Sequence, residues 1–233
     1  MRIEPAITSV SIVLLGQFNP AIFTPAWFSR YDILPATEAD SASSVFVHSE
    51  VTQFSVERAD VYVDMQKFMV SSKRAPWIQL HDVVLKTFGE YLVHTPIHQM
   101  GINKYVHFEA GSIAARDAVG EALAPQAPWA SLDAVTNGMT TPGSKGLLSL
   151  RRLVAQGLPD RPRGNVNARV EPSAELKSGT GIFVEVNDHF EVVDRSEVSG
   201  ASSVMELLQG VFEHSLERSD AVIDSVMALV PQR

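Results

Sequence analysis

Two stretches of this chain, about 120 residues apart, repeat one order of side-chain types. The first is Val61-Tyr62-Val63-Asp64-Met65-Gln66-Lys67-Phe68-Met69-Val70. The second is Ile182-Phe183-Val184-Glu185-Val186-Asn187-Asp188-His189-Phe190-Glu191-Val192. With Asp188 counted as one extra residue, both run aliphatic, aromatic, Val, acid, aliphatic, amide, basic, Phe, any residue, Val. Alternation with period two is the pattern of a strand whose two faces differ. A short linker and an amphipathic helical pattern follow each stretch. The expectation is an α+β protein with a mostly antiparallel sheet in two related halves, each closed by a long amphipathic helix. The halves would be residues 1–110 and 111–233, or a single continuous domain.

The rest of the chain fits that frame. Residues 7–18 read as a strand, and Asn19-Pro20 opens a turn or short helix carrying Phe23, Trp27 and Phe28. The polar run from Pro35 to Ser44 reads as an exposed loop, and 45–70 as a hairpin region broken near Arg58-Ala59-Asp60. After Pro76, the residues Trp77, Leu80, Val84, Phe88 and Tyr91 recur at spacings of three and four, which predicts a helix over 76–94. Residues 97–108 then read as a strand. The order strand, short helix, strand, strand, helix, strand is that of a ferredoxin-like unit. Further on, 111–123 reads as a helix, 136–146 as a Gly/Thr/Pro/Ser loop, 147–156 as a strand, and 165–170 with 182–193 as a second hairpin. The last helix, over 202–230, is expected to start at a capping box of Ser203 and Glu206.

Strand parity separates the two faces of the repeated segments. Val61, Val63 and Met65 share one face in the first, as do Ile182, Val184 and Val186 in the second, and these belong against helices. The opposite face carries Tyr62, Asp64 and Gln66 in the first copy and Phe183, Glu185 and Asn187 in the second. These six are the candidate binding residues. An aromatic, an acid and an amide on one sheet face make a hydrogen-bonding surface, and the two triplets would line a shared groove if the halves met symmetrically. A solvated sheet face would carry the same residue types.

Composition narrows the chemistry. A chain of 233 residues with 45% hydrophobic and 20% charged residues is ordinary for a globular protein that buries roughly 70–75% of its unfolded surface. The absence of cysteine excludes thiol catalysis and Cys-ligated metal centres. It also fits a reducing, cytoplasmic location, which the opening Met1-Arg2-Ile3-Glu4-Pro5 does not contradict. No run approaches the roughly 20 apolar residues of a membrane span. A net charge of −8 disfavours a nucleic-acid partner without excluding it, because duplex binders carry a basic stripe. A protein partner or self-association is the expected mode, with no membrane and no cofactor implied.

Four motifs were weighed for catalysis. Gly138 to Gly146 resembles a phosphate-binding loop, but Ser144 separates Gly143 from Lys145 and Pro142 removes an amide. His94 and His98 are four apart with Pro96 between them, so they cannot stack on one regular helix as zinc ligands. His98 and His107 fall on opposite faces of one strand. Glu175-Leu176-Lys177 carries the Glu-x-Lys core of many metal-dependent nucleases, with Asp160 and Glu171 as candidate partner acids. No catalytic or metal residues are assigned on this reading.

The stretches Gly101-Ile-Asn-Lys-Tyr105-Val-His-Phe108 and Gly181-Ile-Phe-Val-Glu185-Val, the latter running into the long last helix, resemble a sporadically distributed, uncharacterised bacterial family of similar length. That resemblance implies no catalytic residues. It implies an accessory role in a mobile-element or defence-type bacterial system. The expected function is therefore a non-catalytic binding or assembly protein. The alternatives are a metal-dependent nuclease or hydrolase, or a small-ligand sensor with a pocket between the halves.

Overall fold

A computed structural model describes residues 3–125, 149–191 and 200–231. Among these, nine strands form one open sheet in the order β2-β3-β4-β5-β1-β6-β9-β8-β7, and the strand pairings are antiparallel. The strands are β1 (Ile7–Gly16), β2 (Ser43–Val47), β3 (Val51–Ser55), β4 (Asp60–Asp64), β5 (Lys67–Ser72), β6 (Ile97–Glu109), β7 (Leu150–Gln156), β8 (Arg163–Pro172) and β9 (Gly181–Glu191). The helices are α1 (Pro25–Arg30), α2 (Ala36–Asp40), α3 (Ile78–Leu85), α4 (Ile113–Leu123) and α5 (Ser202–Met227). One wider, π-type turn over Lys86–Tyr91 extends α3. No described helix is long and apolar enough to cross a membrane.

Alternation decides which face each strand buries. On β1 the residues Val10, Ile12 and Leu14 are fully buried, and so are Phe68 and Val70 on β5 and Val184 and Val186 on β9. All point to the helix side, where burial of each such side chain is worth about 1.5–3 kcal/mol. Two apolar clusters result. One joins β1, β3, β4 and β5 to α1, α3 and the first half of α5, with Phe23, Phe68 and Phe88 at its centre and the Phe68 and Phe88 rings edge-on at 4.9 Å. The other joins Val106, Phe108, Val166 and Ile182 to Val119 of α4 and to Ile223, Val226 and Met227 of α5. The last helix therefore serves both.

Between the clusters α5 is polar. Ser215 and Ser219 have no exposed surface, so the helix backbone approaches the sheet closely there. Asp188 of β9, also fully buried, takes hydrogen bonds from Nη1 of both Arg161 and Arg218. Asp160 joins them, accepting from Arg161 Nε at 2.8 Å and from Arg218 Nη2 at 2.6 Å. The Arg161 guanidinium lies 3.9 Å from the centre of the Phe190 ring. Two acids and two arginines thus tie the β7–β8 connection, β9 and α5 together. Two residues further along α5, Asp220 takes the buried Lys104 ammonium of β6 at 2.7 Å.

Several expectations need correction. Val61–Val70 is a hairpin, β4 and β5, whereas Ile182–Glu191 lies within one unbroken strand, so the two similar stretches are not structural equivalents. Met65 sits at the hairpin tip, 57% exposed, and does not share the buried face of Val61 and Val63. The run Pro35–Ser44 contains α2, whose Glu38 is buried and paired with Arg58. No Ser203–Glu206 capping box forms: α5 starts after Ala201, without a side-chain cap. Its entry is fixed by the backbone, with Ala201 N–H donating to the Val93 carbonyl at 2.9 Å. The loop over 136–146, Trp129 and residues 192–193 lie outside the described residues.

Glycine is required where β1 bends at its irregular pairing with β6, because a Cβ on Gly16 would lie 2.2 Å from the Pro96 carbonyl. Both edge strands, β2 and β7, also pair irregularly with their single neighbours. Such bulges disfavour edge-to-edge sheet growth. On β2, Val45, Phe46 and Val47 are nevertheless about half exposed.

Two outcomes follow from the buried charge cluster. Replacing Asp188 by Ala leaves two guanidinium groups to share the single carboxylate of Asp160 and is expected to lower the unfolding free energy in urea by about 3–5 kcal/mol. A loss below about 1 kcal/mol would place the pair among ordinary surface bridges. Burial alone pushes the Asp160 carboxyl up, but hydrogen bonds and charge from Arg161 and Arg218 outweigh it and hold the group below its ordinary 3.8. A depressed folded pKa means the stabilisation is complete above the unfolded value and is lost as pH falls through the folded one. Asp160→Asn is therefore expected to flatten the acid limb of the stability–pH curve below about pH 4, which acid titration of the melting temperature reads directly.

Candidate functional site

The packed helices contribute to one side of the sheet, and no described element covers the other. On that uncovered face one register row crosses eight strands: Ser43, Ser55, Asp60, Ser71, Ser11, Asn103, Asn187 and Asn167 lie opposite one another in turn. At the usual strand spacing such a row is about 34 Å long. Every member is small and can donate or accept a hydrogen bond, apart from the acceptor Asp60. Larger side chains flank it. One neighbouring row is Ser9, Tyr105, Glu185, Arg169 and Arg151, and the other runs from Tyr62 through Met69, Val13 and Gly101 to His189 and Asn165.

The middle of the row is a directed hydrogen-bond chain. Asn187 Nδ2 donates to Asn103 Oδ1, Asn103 Nδ2 donates to Ser11 Oγ at 3.1 Å, and Ser11 Oγ meets the Tyr105 hydroxyl at 3.3 Å. Ser11 and Asn103 are 1% and 4% exposed, so the flanking side chains keep this floor largely dry. Burial holds the Tyr105 phenol above its ordinary 10, the Glu185 charge adds to this, and the Ser11 hydrogen bond and Arg169 act against it. Arg169 Nε approaches Glu185 Oε2 at 2.7 Å as an ion pair without hydrogen-bond alignment, and its guanidinium lies 5.0 Å from the Phe183 ring centre. Tyr105 and Phe183 stack at 6.2 Å, and His107 lies 4.8 Å from Phe183.

Two hollows open on this face. One, of about 310 Å³, lies over β1, β5 and β6 and is bounded by Phe183 of β9 and Glu175 of the β8–β9 connection. The second, of about 420 Å³, is lined by Arg151, Asn167, Ala168, Arg169, Glu185 and Asn187. His107 lies in the first. Its Nδ1 is 2.8 Å from Ser173 Oγ. Burial pushes its pKa below 6.5, the Glu175 charge opposes that, and Lys73 reinforces it.

Of the six candidate residues from the sequence, Phe183, Glu185 and Asn187 stand together on β9 on this face. Tyr62 shares the face but belongs to β4, four places away in the sheet order. Asp64 works locally, its Oδ1 accepting from the N–H groups of Gln66 and Lys67 at 2.8 Å each, which closes the β4–β5 turn. Gln66 lies in that turn, and the Lys67 ammonium sits 4.4 Å from the Tyr62 ring centre. Only Tyr62 and Asp64 of the first triplet stand on a strand of this face, with β5, β1 and β6 between β4 and β9, and Gln66 does not join them. Ser9, Ser11, Asn103, Tyr105 and Arg169 were not singled out by sequence, and His107 was considered there only as a partner of His98. The available signal was polar residues at alternate positions of strands that are apolar on the other face.

The remaining motifs are dispersed. Glu175 borders the first hollow, Glu171 is near Arg169, and Asp160 belongs to the buried charge cluster. His81 packs on Phe212, His189 contacts Glu191 and His214 contacts Glu217. Among the described residues no group of three or more His, Asp or Glu is placed to hold a metal ion. No protein-family model matches the chain, and no curated protein matches it.

His107 offers a direct readout of the first hollow. Its imidazole resonance is expected to titrate with a midpoint below 6.5. Glu175→Gln should lower that midpoint further and Lys73→Ala should raise it, as followed by proton NMR. Unmoved midpoints in both variants would separate these charges from the ring.

Proposed function

We propose that this chain is a non-catalytic binding protein whose working surface is the uncovered face of its sheet, engaging a protein partner as an accessory subunit of a bacterial multi-protein system in the cytoplasm. The observation that carries this reading is the row from Ser43 to Asn167, a band of short hydrogen-bonding side chains flanked by Tyr105, Glu185, Arg169 and Arg151. An antiparallel sheet facing only water has no need of a buried, fully connected Ser–Asn–Asn chain at its centre. One flank carries both signs, Glu185 beside Arg169 and Arg151, which suits a partner of mixed polarity.

The strand order also supports an origin from two related halves. The first half, residues 1–110, would hold the central strands β1 and β6 with β5-β4-β3 laid outward on one side, and the second, residues 111–233, would lay β9-β8-β7 outward on the other. Each would close with a helix on the sheet, α3 or α5. Within the first, β1, a helix, β4, β5, α3 and β6 follow a ferredoxin-like course, with β2 and β3 as an added hairpin. A second reading of the function rests on the roughly 310 Å³ hollow. A small ligand seated there would touch β1, β5 and β6 of the first half and β9 of the second.

The main reading is tested by placing a long charged side chain in the row. Asn187→Arg is expected to abolish co-purification of the partners that the wild-type chain retains from its native cells, while Glu213→Lys, on the exposed side of α5, leaves them in place. Matching melting temperatures would confirm that both variants are folded. Partners retained equally by Asn187→Arg would sink the proposal.

A further inference from the structure

The hollow of about 310 Å³ beside Tyr105 and His107 combines three features that define a ligand class. Its floor is hydroxylic: Ser11, Ser71 and Tyr105 all reach it, and Ser11 is almost completely buried. Hydroxyls both donate and accept, so they tolerate either end of a polar ligand. Its walls are partly apolar, with Ile7, Met69 and Phe183 available to a short side chain. Its rim carries one cation, Lys73, and two acids, Asp60 and Glu175, none of which is ion-paired among the described residues. Asp60 lies beside the end of β5, opposite Ser71, and only Glu175 approaches from a separate part of the fold. Lys73 directly follows β5 and Asp60 begins β4, while Glu175 comes from the β8–β9 connection.

From this geometry we propose that the hollow binds a small zwitterion of the free α-amino-acid class. Lys73 takes the carboxylate, Asp60 and Glu175 take the ammonium, and the serine and tyrosine hydroxyls complete the hydrogen bonds. A purely anionic ligand would meet two carboxylates at the rim, and a purely cationic one would meet Lys73. A neutral ligand would leave all three charges unused. Pockets of this size are at the small end of those that hold organic ligands, which suits an amino acid better than a nucleotide. The position over β1, β5 and β6 and against β9 makes the ligand a bridge across the middle of the sheet, next to the Asn103–Asn187 pair. The inference rests on the reading of the uncovered face as a binding surface and assigns it a ligand.

The test is a thermal-shift screen of the intact chain against the standard protein amino acids, followed by calorimetry on any that raise the melting temperature. Each hit is compared with its N-acetyl derivative and with the amine lacking the carboxylate. At least one free amino acid is expected to bind, with both derivatives weakened about tenfold or more, since each removes one charge-assisted contact. Lys73→Ala should weaken the free amino acid and leave the decarboxylated amine unaffected, and Asp60→Asn should act in the opposite sense on the N-acetyl derivative and the amine. Lack of binding by every amino acid overturns the proposal, as does an amine or an N-acetyl derivative that binds as tightly as its parent. Loss of partners in Asn187→Arg is a separate measurement. If that loss occurs and the amino acids fail, the sheet face stands as a binding surface and only its assigned ligand falls.

Discussion

The structure is organised around a carboxylate in a place where carboxylates are costly. Asp188 is fully buried on the helix side of β9, between Val186 and Phe190, and a lone ion there would carry a desolvation penalty of several kcal/mol. Arg161 and Arg218 offset that penalty, and Asp160 in turn balances the second guanidinium charge. This fixes where α5 crosses the sheet: Arg218 must reach Asp188 while Ser215 and Ser219 let the helix backbone come close. The apolar ends of α5 then fall over the two clusters. Hydrophobic contact alone is non-directional and would leave the helix free to slide or rotate by a residue.

Much of the layout was legible in the sequence, for identifiable reasons. Strands such as β1 and β8 alternate cleanly, and α3 repeats its apolar residues at helical spacing, so element types and approximate limits followed from periodicity. The β4–β5 turn did not, because Asp64-Met65-Gln66-Lys67 contains neither Gly nor Pro, and the reversal depends on one carboxylate oxygen binding two backbone amides. An Asp on a strand reads as a polar-face residue. Asp188 was counted as an extra residue so that the two similar stretches would align. In the sheet its position is regular, and only its chemistry is unusual.

The candidate site was half legible. Parity placed Phe183, Glu185 and Asn187 on one face, but the continuous row exists only once eight strands are in register. Ser11 and Asn103 are single polar residues in strands otherwise recognised by their apolar side. Nothing local distinguishes a serine at the centre of a sheet from one at its rim. Strand order, set by contacts between residues 92 positions apart in the case of Ser11 and Asn103, turns ordinary polar residues into a connected surface.

The reach of α5 has a consequence for how the chain acquires its structure. Val204, Leu208 and Phe212 complete one apolar cluster, and Ile223, Val226 and Met227 complete the other. Neither cluster is sealed until residues beyond 200 have docked. Strands paired before α5 docks keep part of their apolar face open to water, and that one helix completes the cover of both clusters. The two clusters thus share one lid, and a break in α5 would open both at once.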